Sequence, residues 1–96
     1  MNKYEIMFIV KPDLEEAAIK KEADNLKKVL TDHKAKIVEE KAMGQRELAY
    51  EIKKFKSGYY YLYNIETSDD SAINEFNRIA RINENVIRHL VLNLDK

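Results

Sequence analysis

The apolar residues of this chain change their period repeatedly, and the order of those changes leaves few folds open. From Tyr4 to Val10 they follow a strand. Ile6, Phe8 and Val10 share one face, while Met7 and Ile9 lie on the other. Two apolar faces imply a central strand, and Lys11-Pro12 ends it because proline cannot continue a ladder. From about Leu14 to His33 the spacing turns helical, with Ile19, Ala23, Leu26 and Leu30 forming a core-facing stripe. Asp13 is the expected N-cap, with Glu16 completing a capping-box pattern. Strand-type residues return at Ala35 and run through Ile37, Val38, Ala42 and Leu48, with Gly44 at the expected place of a bulge or tight bend. The lysine-bearing stretch Tyr50 to Ser57 reads as a loop. Gly58 opens a third strand, Tyr59 to Glu66. Ser68, Asp69, Asp70 and Ser71 supply N-cap chemistry for a second helix, whose stripe is Ile73, Phe76, Ile79 and Ala80. Asn83-Glu84-Asn85 breaks that pattern, and Val86 to Leu94 forms the last strand.

Strand, helix, strand, strand, helix, strand is the order of two split βαβ halves. It predicts an α+β fold of the ferredoxin-like βαββαβ type: a four-stranded antiparallel sheet with both helices on one face. The expected strand order is four-one-three-two. The sheet face away from the helices is left open, and a partner commonly covers such a face. At 96 residues the chain, 1–96, is expected to be a single domain.

Composition excludes several classes. A hydrophobic content of 45% is too high for a disordered chain. The absence of cysteine removes disulfides, thiolate metal sites and cysteine nucleophiles, and suits the cytoplasm. No apolar run approaches the ~20 residues of a membrane-spanning helix, and the opening residues lack the apolar segment of a secretory leader.

Signals of catalysis are nearly absent. His33 and His89 have no partners at nucleophile spacing, so His33 is expected to cap or border the first helix and His89 to be half-buried. There is no glycine-rich phosphate loop, no metal-ligand spacing, and thus no expected cofactor or metal. An acylphosphatase-like activity would need an anion loop near the first strand, which Lys11-Pro12-Asp13 does not supply.

Charge placement is more informative than its sum. Seventeen Lys+Arg balance seventeen Asp+Glu. Yet Asp13 to Asp24 holds five acids against two lysines, whereas Lys41 to Gly58 holds five cations against two acids. Arg78, Arg81 and Arg88 add a second basic stretch. Arginine grips phosphate with a bidentate fork and lysine adds counterion release. Tyr59, Tyr60, Tyr61 and Tyr63 crowd one strand, with Tyr50 before the loop. Tyrosine can stack on bases, although alternation commits at least half of these to the core. A solvated lysine loop and a tyrosine-rich core are the plain alternatives.

Three segments make the chain resemble the bacterial small-subunit ribosomal protein six family along nearly its whole length. They are Tyr4 to Pro12, the Gly44-Gln45-Arg46-Glu47-Leu48-Ala49-Tyr50-Glu51-Ile52-Lys53 stretch with Gly58-Tyr59, and Arg78 to His89. The middle one is similar to that family's Gly-x-Arg-x-Leu-Ala-Tyr signature. The resemblance implies a non-enzymatic protein that binds the central domain of small-subunit ribosomal RNA together with small-subunit ribosomal protein eighteen, on the ribosome in the cytoplasm. Its implied contact residues for RNA or partner are Tyr4, Arg46, Tyr50, Lys53, Lys54, Lys56, Tyr59 and Arg88. With no net charge, the chain is expected to bind RNA weakly alone; when isolated it is expected to be a monomer. The rival reading is a ferredoxin-like sensing or oligomerisation domain that needs no RNA.

Overall fold

A computed structural model describes residues 2–68 and 70–94. The elements run β1 (Asn2–Val10), α1 (Glu16–Asp32), β2 (Lys36–Ile52), β3 (Phe55–Thr67), α2 (Ser71–Ile82) and β4 (Val86–Asn93). The sheet order is β2-β3-β1-β4, with every neighbouring pair antiparallel. This is the ferredoxin-like architecture the alternation implied, read from the other edge.

Register explains the core. Ile6 lies opposite Tyr63 and Val91, and Phe8 opposite Tyr61 and His89. Tyr4, Ile6, Phe8 and Val10 therefore enter the helix-side layer, where they meet Ile19, Ala23, Leu26 and Leu30 of α1 and Ala72, Ile73, Phe76 and Ala80 of α2. Phe8 stacks on Tyr61 at 5.3 Å and meets Tyr63 edge-on at 5.5 Å. Such aromatic pairs add specificity beyond their buried area. Tyr63 donates from its hydroxyl to the Ala23 carbonyl at 3.2 Å, so its one polar atom is satisfied inside the core. Burial raises the Tyr63 pKa, and the Glu40 and Asp24 carboxylates push it further the same way.

Helix ends differ from their expected chemistry. α1 begins at Glu16 with Glu15 as N-cap, two residues later than Leu14, and ends at Asp32 rather than His33. Asp13 does not cap it. The Asp13 carboxylate instead lies 3.7 Å from Lys11 Nζ, because the turn after Pro12 separates it from the helix start. At the other end the Lys34 N–H reaches the Thr31 carbonyl and the Ala35 N–H reaches that of Leu30, at 3.0 and 3.1 Å. This is a Schellman closure, with Lys34 at φ 67° in the place usually taken by glycine. His33 is the C-cap, as its position implied. Asp70 precedes α2 but makes no side-chain capping bond, since its carboxylate accepts from the Tyr4 hydroxyl at 3.1 Å. Asp69 lies outside the described residues.

The largest departure is the stretch 50–57. It is no loop: β2 continues to Ile52, and β3 starts at Phe55, three residues before Gly58. Ile52 pairs with Phe55, so Lys53 and Lys54 alone make the turn, at φ 50° and 72°. Two successive positive φ values mark a type I′ turn, whose twist suits a hairpin. Gly44 sits at φ 80° where the β2–β3 register shifts, which places the bulge where glycine implied it.

Candidate nucleic-acid interface

Alternation that sends Phe8 to the core sends Ile9 to the open face. Ile9 lies opposite Tyr60 on β3 and Arg88 on β4, and Met7 lies opposite Leu62 and Leu90. Arg46 of β2 pairs with Gly58, the next same-face position beyond Tyr60. The open face thus carries a central apolar strip with arginines near both edges. Three strand spacings separate β2 from β4, which puts the two backbones about 14 Å apart. Leu90 and Leu92 are left 43% and 45% exposed on the β4 edge. That is costly for leucine unless another surface covers it.

The two edges are joined. Arg88 Nη1 donates to the Tyr50 hydroxyl, and its guanidinium carbon lies 5.9 Å from the Tyr50 ring centroid. Tyr50 belongs to the outer edge strand and Arg88 to the opposite one, so the distal β2–β3 hairpin must twist across the sheet end. Gly58 makes room for this close packing. A Cβ there would overlap the Ile9 Cγ2 methyl and lie 3.2 Å from the Val10 carbonyl oxygen. Around this point Arg46 donates from Nε to the Met43 carbonyl at 3.4 Å, and Gln45 donates to Ser57 Oγ at 3.3 Å. Both are exposed side chains, and among the described residues the Arg46 guanidinium forms no ion pair.

The eight candidate contact residues do not fall in one place. Arg46, Tyr50 and Arg88 gather on the open face, while Lys53 and Lys54 form the hairpin tip and Lys56 follows it, exposed. Tyr59 is half-buried on the helix side. Tyr4 stands apart from the others: it is 7% exposed, and its hydroxyl is held by Asp70. The apolar members of the open face, Met7, Tyr60, Leu62, Leu90 and Leu92, were not among the candidates. Their signal was present in the alternation about Ile9, but charge drew attention to the arginines. Among the described residues no cluster of three or more His, Asp or Glu is placed to hold a metal, and no helix is long and apolar enough to cross a membrane.

The fold and this face together define a ferredoxin-like sheet whose open side combines arginines, a tyrosine and uncovered leucines. The family model described as Ribosomal protein S6 matches residues 3–93. A crystal structure of 30S ribosomal protein S6 from Thermotoga maritima superimposes with a TM-score of 0.91 at 31% identity, covering 96% of this chain and 86% of that one. The chain belongs to the ribosomal protein S6 family, and so to the proteins of the small ribosomal subunit.

Proposed function

We propose that this chain is a non-enzymatic RNA-binding protein that holds the central domain of small-subunit ribosomal RNA, jointly with small-subunit ribosomal protein eighteen, on the cytoplasmic ribosome. The observation that carries this reading is the convergence of Arg46, Arg88 and Tyr50 on one open sheet face beside uncovered Leu90 and Leu92. Cations meet phosphate, while exposed leucines need a protein surface. A chain with no net charge gains little from bulk attraction, so the companion supplies the remaining basic surface. RNA binding and partner binding then strengthen each other through a shared interface.

The experiment is a filter-binding titration of a central-domain RNA fragment with this chain, with the partner, and with both. Affinity should rise at least tenfold when both are present. Equal, tight binding by the chain alone contradicts joint recognition. The isolated chain should sediment as a monomer, and a stable dimer that ignores RNA favours the oligomerisation reading.

A further inference from the structure

On the helix side, between α1 and the outer strand β2, lies a groove of about 560 Å³ that the open-face reading does not use. Its volume falls within the range of roughly 300–1,000 Å³ typical of ligand clefts. The groove exists because small residues surround large ones. Tyr61 has Phe8 stacked on one ring face, at an interplanar angle of 15°. Strand order places β2 on its other side, where the paired residue is Ala42. Ala42 is too short to cover a phenol ring, Gly44 covers nothing, and Ala23 adds no bulk from the helix above. Tyr59 and Tyr63 extend the aromatic wall. Among the described residues the Tyr61 hydroxyl makes no hydrogen bond within the chain.

Charge at the rim gives the groove a sign. Glu16 and Asp24 of α1 border it without an ion-pair partner among the described residues, against the single unpaired cation Lys20. Glu40 and Lys41 also line it but are neutralised, by Lys27 at 2.9 Å and Glu39 at 3.1 Å. The Tyr61 pKa is raised, first by burial and then by Asp24, Tyr59 and Glu16, in agreement with a negative potential at the ring. Phosphate would be repelled there. An uncovered aromatic face bordered by carboxylates matches a guanidinium, which can stack on the ring and donate to one of the two acids.

We infer that the groove between α1 and β2 docks an arginine side chain from an extended basic segment of a protein partner, on the sheet face opposite the proposed RNA surface. One chain could then hold RNA on one face and a basic protein arm on the other.

The test is an NMR titration of the ¹⁵N-labelled chain with a short acetylated arginine-containing peptide and with its norleucine counterpart. Only the arginine peptide should shift the amides of Ala23, Ala42, Tyr59 and Tyr61. Asp24→Asn should weaken binding by about two- to fivefold, the scale of one exposed charge pair. Lys20→Gln should strengthen it by a similar factor, and Ala42→Leu, which fills the groove, should abolish it while the thermal midpoint stays measurable. Equal shifts from the norleucine peptide, shifts centred on Arg46 and Leu90, or no shift with either peptide each overturn the inference. The RNA titration is independent of all of these outcomes.

Discussion

Gly58 shows how one missing atom shapes the surface. Ile9, the Val10 carbonyl and Ile87 close around it, so Gly58→Ala must push apart strands β1 and β3. We expect a loss of about 1–3 kcal/mol, the scale of overpacking, read as a lower urea midpoint. His89 offers a second test at this scale. Its ring meets Phe76 edge-on at 6.0 Å, and its pKa is lowered by burial first, then by Arg81 and Lys53. The unfolded chain therefore binds this proton more readily than the folded one. Stability from the neutral ring is full at high pH and declines as pH falls below about 6.5, the unfolded value. Between pH 7.5 and 5.5 the urea midpoint should fall more for the parent than for His89→Leu. An equal fall in both would assign the effect to other groups. At this scale the sequence was only partly legible. The half-burial of His89 followed from strand alternation, but the bond between Tyr4 and Asp70 spans 66 positions and leaves no local trace. The same bond is why Asp70 does not cap its helix.

Helices and strands were easier to read than their ends. The stripes of Ile19, Ala23, Leu26, Leu30 and of Ile73, Phe76, Ala80 are buried as their spacing implied, since burial of one face is what fixes a helix. The β2–β3 hairpin was misjudged because its outer part is not stabilised in that way. No residue of β2 is buried, so no hydrophobic alternation marks its last turns as strand. Its turn also lacks the Asn-Gly or Asp-Gly pair that usually announces a two-residue hairpin. Lys53 and Lys54 adopt positive φ at a steric cost of about 1–2 kcal/mol each. Replacing both, as Lys53→Asn with Lys54→Gly, should raise stability by about 1 kcal/mol. The same double variant should bind central-domain RNA less tightly, because two cations leave the tip. A gain in stability with unchanged RNA affinity would remove the hairpin tip from the interface.

For the molecule as a whole, a net charge of zero conceals opposed stretches, an acidic one from Asp13 to Asp24 and a basic one from Lys41 to Gly58. That separation makes the RNA contact local. Arg46→Glu should weaken RNA binding by ~1–3 kcal/mol while leaving the unfolding midpoint nearly unchanged, since its guanidinium is exposed. The slope of log affinity against log salt should become shallower in the same variant. A variant that unfolds would show Arg46 to be structural. Fold class and strand order were legible because alternation on β1 named it the central strand. The site was legible as a list of residue types, whereas its geometry depended on cross-strand register, which one sequence does not display. The contact between Arg88 and Tyr50 has a consequence for motion. Most of β2 has no helix packed behind it, so the distal ribbon is tied to the body largely through this edge-to-edge link. Amide hydrogens near Ile52 and Phe55 should exchange with solvent through brief partial openings, far sooner than those of Ile6 and Phe8, which wait for global unfolding. A ribbon that opens on its own can adjust to an irregular ribonucleoprotein surface while the rest of the domain stays closed.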